Sequence, residues 1–433
     1  MSEYLTNTSE LTSIANAIRT KGGTSSLLSY PDGFITAIGN IQTGGGASGL
    51  TVAQFIESGA GYDFQASNVY SLRGGAFAYC TAMRTINLPD CSVIGSSAFY
   101  RCTMLSDVSI PNCSIIYGNA FEKCFNLSVA DFSNCSEIYS SAFMDCQNLV
   151  SINFPNCKSI YIYAFSNCKE LTSIYFPECE SIGTNAFANC IKLQSANFPK
   201  CISIGMSAFV SCTSLFDISF PVCKHVAPSG FAGCDNLISI YLPSCSQIGT
   251  YAFASCSKLA SVSLPSCKTI ENMGFGYCKG LTNLYLPSLK TIRASAFNNC
   301  SNLVSVDFPI CEYINASAFN SCYNLTTVNI PLCIDISNYA FLNCSSLSIV
   351  SFPSCNAIGL NAFNKCFHLL SVYLMASSIV SLAGSNAFSS TPIAGYTGST
   401  NGVFGSIYVP SSLYNTYIAT SPWATFSSRF VSM

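Results

Sequence analysis

The chain has 433 residues, of which 49% are hydrophobic and only 9% charged, with 18 Lys and Arg set against 20 Asp and Glu for a net charge of −2. So balanced a charge gives neither the basic footprint that neutralises phosphates nor an acidic tail, which argues against nucleic acid as a partner. No run approaches the roughly 18 consecutive apolar residues of a membrane helix, so membrane insertion is not expected either.

In chain order, "SELTSIANAIRT" (9–20) places Leu11, Ile14, Ala15 and Ile18 on one helical face, and Gly22 and Gly23 supply the stop. A second helix is predicted in "PDGFITAIGNI", with Pro31 near its first turn and Phe34, Ile38 and Ile41 on one side. Residues 1–41 therefore predict a helical hairpin for attachment or self-association, and "QTGGGASG" (42–49) predicts a flexible linker. The N-terminus has no basic start followed by an apolar run, so the expectation is synthesis in the cytoplasm without a classical export signal. Residues 50–75 read as a degenerate first coil or cap, with Phe64, Val69 and Leu72 facing inward.

From Ala76 onward the sequence repeats every 22 residues without a slip through Asn361, and a further copy begins at Ala362. The copy "AFSNCKELTSIYFPECESIGTN" (164–185) carries the inward set: Phe165, Cys168, Leu171, Ile174, Phe176, Cys179 and Ile182. Between Ser173 and Phe176 polar and apolar residues alternate, the period of a half-buried strand. Pro177 ends that strand because it cannot donate to a ladder, and Gly183 to Asn185 turn the chain. One coil cannot bury its own apolar face, so the copies must stack as a solenoid, with parallel strands about 4.8 Å apart and a cap at each end. The period is lost after Leu374. Residues 375–433 predict a C-terminal cap, with a short helix in "SSLYNTYIAT" and Trp423 and Phe426 in its core.

These residues carry a resemblance. The stretch "LTSIYFPECESIGTNAFANC" resembles the BspA-type leucine-rich repeat, and the likeness runs from about residue 64 to 374. It implies a leucine-rich-repeat solenoid with a parallel β-sheet on one face, turns or short helical pieces on the other, and surface recognition as its role. A shorter stretch, "IANAIRTKGGTSS" with "YPDGFITAIGNI", resembles N-terminal segments of tail proteins from phages of Gram-positive hosts, which implies a virion location.

All 26 cysteines fall on two columns of the repeat. One runs after the Ala-Phe pair from Cys80 to Cys366, the other after the strand from Cys91 to Cys355, where Leu289 once takes the place. Leucine fills a buried slot but neither binds a metal nor forms a disulfide. A zinc site needs about four converging ligands, whereas here there is no closely spaced cysteine pair and only His225 and His368 beside them. The expectation is small buried hydrophobes, with occasional disulfides as the alternative, and no metal or cofactor.

A nucleophile–base pair is equally absent from the pattern, since both histidines lie on variable columns and the carboxylates are scattered. "GGGASG" lacks the strand, helix and Lys of a phosphate loop. The chain is therefore expected not to be an enzyme. What remains is the outward strand column, with Asn153, Tyr175, Asn197, Tyr241, Tyr285, Asp307 and Tyr373, and a second tyrosine group, Tyr117, Tyr139, Tyr161 and Tyr163. Tyrosine offers rigid stacking area with a polar tip, which suits a cell-surface protein or glycan; the same residues also serve to solubilise a face of low charge. The leading expectation is a virion-borne receptor-binding protein. A bacterial surface adhesin and an intracellular interaction scaffold are the alternatives.

Overall fold

A computed structural model describes residues 41–43, 63–65, 67, 69–81 and 83–433. The expected hairpin, apart from Ile41, most of the linker and residues 50–62 of the expected cap lie outside them. The described residues form two compact units, divided between Lys200 and Cys201.

In the first unit the 22-residue period becomes two parallel ladders. One joins short strands from Val69–Leu72 through Val93–Ile94, Ile115–Ile116, Glu137–Ile138 and Ser159–Ile160 to Ser181–Ile182. Each residue pairs with its equivalent one period later, as Ile160 does with Ile182. The other ladder is built from three-residue strands such as Ser173–Tyr175, which pairs in register with Ser195–Asn197. The sequence predicts the second of these through its alternation; the first is only two residues deep and shows no alternation to read. Ile41–Thr43 add an antiparallel strand against Val69–Leu72. Gln42 and Thr43, expected in the linker, are thus strand residues.

The alternation holds in three dimensions. In Ser173–Tyr175 only the central Ile174 is buried, and Phe165, Cys168, Leu171, Phe176, Cys179 and Ile182 lie in the core beside it. The phenylalanines of the Ala-Phe column stack ring on ring, with centroids 4.9 Å apart for Phe99 and Phe121 and 5.3 Å for Phe165 and Phe187. That distance is set by strand spacing, so one flat ring per coil fills the axis without a gap. Phe64, Val69 and Leu72 are buried and begin the core.

The Ala-Phe segment is itself a ladder of a less usual kind. Tyr163 and Asn167 have φ of 58° and 61°, in the left-handed region. This alternation of handedness aims the N–H groups of Tyr163, Phe165 and Asn167 at the next coil, where they donate to the carbonyls of Thr184, Ala186 and Ala188 at 2.9, 2.7 and 2.8 Å. The intervening N–H groups close tight turns onto carbonyls of their own coil. The pair of left-handed positions recurs in each coil from Gly75 to Lys365, filled by Asn, Ser, Tyr or Gly in most copies. Asn tolerates this conformation best among residues with a side chain.

The second unit continues the same pattern, its two-residue strands running from Ser203–Ile204 to Ser381–Leu382. Here the structure corrects the boundary expected at Leu374. Ser381–Leu382 pairs with Ala357–Ile358, Phe388 stacks on Phe363 at 5.5 Å, and Ser406–Val409 pairs with Ser371–Tyr373. A further coil is therefore present, hidden in the sequence because its Ala387-Phe388 pair arrives 25 residues after the preceding one. The helix Tyr414–Ala419 and the 3-10 turns of Trp423–Arg429 then close the end. Trp423 and Phe426 are buried there, as the sequence predicts. Trp423 Nε1 donates to the Val380 carbonyl at 2.7 Å, and the Val380 N–H donates to the Tyr417 hydroxyl at 2.9 Å. These two bonds satisfy backbone groups that the last coil would otherwise leave without a partner.

Candidate functional site

Each three-residue strand sends its first and third side chains to the outside, and the third is the candidate column. In the first unit it holds Asn153, Tyr175 and Asn197; Tyr175 is 59% exposed and lies in register beside Asn197. Asn153 donates to Asp131 at 2.9 Å, so part of its hydrogen-bonding capacity serves the column itself. In the second unit Tyr241 and Tyr285 are 62% and 60% exposed. Asp307 accepts from Asn329 at 2.7 Å, and Tyr373 is half-buried, its ring stacked on Tyr408 with centroids 4.4 Å apart. The column therefore contains two kinds of residue. Asn153, Asp307 and Tyr373 are engaged with their neighbours along the stack, while Tyr175, Tyr241 and Tyr285 present their rings to solvent.

Beside Tyr241 the structure adds residues that the column reading missed. Phe216 and Ile238 occupy the position before the strand in successive coils and are 47% and 53% exposed. Serine and threonine are common at that position in other copies, and this apolar departure from the consensus was the available signal. Together with Tyr241 they give the strand face of the second unit an apolar, aromatic character.

The second tyrosine group resolves into a stack and an outlier. Tyr117, Tyr139 and Tyr161 stand on consecutive coils with ring centroids 5.0 and 4.8 Å apart. Tyr163 stands outside this stack at a left-handed corner, exposed to solvent. Tyr139 donates its hydroxyl to the Glu137 carboxylate, and that bond, more than burial, pushes its ionisation up to about 12.

The cysteines are buried, and all 26 are free thiols. They do more than fill space. Cys168 donates its thiol to the Phe143 carbonyl of the preceding coil at 3.2 Å, and the same bond recurs along the column, as in Cys256 to Phe231. The strand-side column bonds locally instead, as Cys179 does with Ser181 at 3.3 Å. Burial pushes the Cys168 thiol well above its usual range and the Cys80 thiol up to about 12, which holds both in the unreactive protonated form. Among the described residues no group of three or more His, Cys, Asp or Glu side chains is arranged to hold a metal ion. The two histidines are exposed. His225 lies 3.4 Å from the Ser246 hydroxyl and His368 2.7 Å from the Ser345 carbonyl.

Comparison with known proteins agrees with this geometry. A search of curated sequences finds no significant match. Among solved structures, a leucine-rich repeat protein from Bacteroides ovatus is 25% identical over 74% of this chain and 88% of its own, with a TM-score of 0.53. A leucine rich cell surface protein from Faecalibacterium prausnitzii is 23% identical, covering 62% of this chain and 79% of its own, with a TM-score of 0.41. The family model of the BspA type leucine rich repeat region matches residues 63–172, 136–260, 180–303, 224–348 and 268–394, which together span the coils described above. On that match, and on the repeat geometry beneath it, the chain belongs to the BspA-type leucine-rich-repeat family.

Proposed function

We propose that this chain is a non-enzymatic recognition protein that contacts a cell surface through the outward strand face of its coils. Leucine-rich-repeat solenoids are typically protein-binding scaffolds, and here the supporting observation is the exposure of Tyr175, Tyr241 and Tyr285, each close to 60%. Rigid aromatic side chains held out from a regular sheet offer contact area at little cost in conformational entropy. Phe216 and Ile238 extend that character in the second unit. The finer reading places the protein on a phage particle or tail, attached through residues 1–41, and rests on the resemblance of that segment alone. Display on a bacterial surface is the second reading, favoured by the family's adhesive character, and an intracellular scaffold is the third.

Two measurements test this. Labelled full-length protein is titrated onto a panel of Gram-positive cells, with a Tyr175→Ala, Tyr241→Ala, Tyr285→Ala triple variant alongside. Binding that falls at least tenfold in the variant supports the strand face; binding that persists unchanged, or is absent from every cell type, refutes it. Mass spectrometry of fractionated cultures then separates the locations. Peptides of residues 1–41 in purified particles favour the virion, the cell-wall fraction favours the adhesin, and cytosol alone favours the scaffold.

A further inference from the structure

The C-terminal cap holds a cavity of about 320 Å³ between the 3-10 turn Ser385–Phe388 of the last coil, the turn Pro392–Ala394 and the closing segment Trp423–Arg429. Phe426 and Ile393, both buried, supply apolar wall. The polar lining is Ser385, Asn386, Ser389, Thr425, Ser428 and Arg429. Nearby hydroxyls of the cap are committed to the backbone: Thr391 donates to Phe388, Thr400 to Val403 and Thr420 to Thr416, at 2.6, 2.6 and 2.7 Å. Among the described residues none of the four lining hydroxyls is engaged in this way, and Asn386 Oδ1 is buried without a hydrogen-bond partner. Buried polar groups are ordinarily paired, so an orphaned amide at a cavity wall points to a partner from outside the chain. Arg429 is half-buried, with its guanidinium carbon 3.9 Å from the centroid of the Phe404 ring. Stacking fixes the guanidinium plane and leaves its N–H edges for a bidentate acceptor. The ion pairs among the described residues do not include it. After Asp335 the sequence has no Asp or Glu, and its basic side chains there are Lys365, His368 and Arg429. Lys365 is exposed on the adjoining coil, where its N–H donates to the Ser389 carbonyl at 3.0 Å. The Met433 main-chain oxygen accepts from the Ser411 N–H at 2.9 Å.

We propose that this cavity binds an acidic sugar, a hexuronate unit, with its carboxylate paired to Arg429 and its ring hydroxyls bonded to the uncommitted hydroxyls and amide of the lining. The site stands on the geometry of the cap and goes beyond the strand-face reading above. A guanidinium with no acid beside it selects an anion. One positive charge in the lining balances a monoanion more closely than a dianionic phosphate. A hydroxyl both donates and accepts, so four of them with an amide suit a polyol over a plain apolar acid. Phe426 and Ile393 offer apolar surface to the C–H bonds of the sugar ring. The cavity lies at the small end of ligand sites, which run from about 300 to 1,000 Å³. It therefore suits a single ring, either a monosaccharide or the end of a longer chain.

The test uses the full chain with D-galacturonate and D-glucuronate as probes, galactose and glucose as their neutral counterparts, and acetate as the bare anion. Saturation-transfer NMR and chemical-shift titration read the binding. At least one uronate is expected to bind in the millimolar range, about fivefold or more tighter than its neutral counterpart and than acetate. Arg429→Gln is expected to weaken that binding about tenfold or more, and Arg429→Lys by less, because it keeps the charge but not the fork. Arg429 also packs on Phe404, so a Ser385→Ala, Ser389→Ala double variant tests the last-coil side with the guanidinium in place. It is expected to lose about threefold or more at an unchanged melting temperature. Binding of neither uronate, binding no tighter than that of the neutral sugar or of acetate, or unchanged binding in Arg429→Gln and the double variant overturns the proposal. Cell binding by the strand-face triple variant is scored separately. Cells bound through Tyr175, Tyr241 and Tyr285 with no uronate binding would leave the recognition reading standing and remove this site, and uronate binding without cell binding would do the reverse.

Discussion

Replacing Cys168 tests whether the thiol columns act as hydrogen-bonded slots or only as small apolar filling. Its sulfur is fully buried and donates to the Phe143 carbonyl at 3.2 Å. Cys168→Ala removes one heavy atom from a closed site, about 1 kcal/mol in transfer terms, with a further contribution from the void, for about 1–2 kcal/mol in all. The Phe143 carbonyl is not orphaned, because it still accepts from the Cys146 N–H at 3.2 Å. Cys168→Ser keeps most of the volume, but its hydroxyl sits closer to Cβ than a thiol does and falls short of that carbonyl. A buried hydroxyl without a partner costs about 1–3 kcal/mol, so serine is expected to be at least as damaging as alanine. A repeat array does not unfold with a single defined free energy. The readout is therefore local: alkylation of Cys146 and Cys190 on the neighbouring coils at mildly alkaline pH, followed peptide by peptide. Where opening is fast relative to labelling the rate tracks the open population, and 1.4 kcal/mol is about tenfold. Cys146 and Cys190 are expected to label about tenfold faster in the alanine variant and at least as fast in serine, with Cys80 unchanged. A serine variant as protected as wild type would refute the slot, and wild-type thiols that label like free cysteine would refute the burial behind it.

At the C-terminal end, Trp423→Phe leaves the Val380 carbonyl without its indole donor and Tyr417→Phe leaves the Val380 N–H without an acceptor. Each is expected to cost about 1–3 kcal/mol and to speed hydrogen exchange in residues 380–430, whereas exchange in the first unit should not change. Gly249→Ala places a Cβ within 2.6 Å of the Val226 carbonyl oxygen; the chain must shift, and a cost of about 1–3 kcal/mol is expected as a lower melting temperature. Tyr139 should ionise only near pH 12, and Glu137→Gln should bring it back towards the ordinary tyrosine value, seen as one tyrosinate equivalent moving in an absorbance titration. Because the folded value is the raised one, the bond's contribution to stability is whole below pH 10 and is lost as pH rises through about 12. Lys192–Glu170 and Lys200–Glu178 are exposed pairs at 2.6 Å, so Glu178→Gln should leave thermal stability within about 0.5 kcal/mol.

Much of this protein is legible from its sequence because every copy repeats the same demand. A residue such as Ile174 or Phe165 must be buried in coil after coil, so its column stays apolar and its period is visible. The substitution Leu289 for cysteine was enough to show that the thiol slots are apolar and closed. The short Ser181–Ile182 type of strand was not legible, since two residues carry no alternation. Nor was the last coil, because an insertion moved Phe388 off the period while leaving it stacked on Phe363. The polar side chains are the harder case. Asn153, Tyr175 and Asp307 occupy equivalent positions, and only the tertiary structure separates the ring held out to solvent from the side chains that bond along the column.

The sequence by itself determines the coil, its length and its inward residues, because burial of a repeated apolar face depends only on the spacing of residues along the chain. It also determines the chemical class of the surface, short polar groups with tyrosine and little charge. Only the tertiary structure decides what those groups do. Whether a tyrosine is stacked on its neighbour, as Tyr139 is, or stands free, as Tyr241 does, depends on the side chain 22 residues away in sequence and about 5 Å away in space. The left-handed corners and the thiol-to-carbonyl bonds of the Cys168 column belong to the same class, since both arise from contacts between successive coils that no single repeat contains.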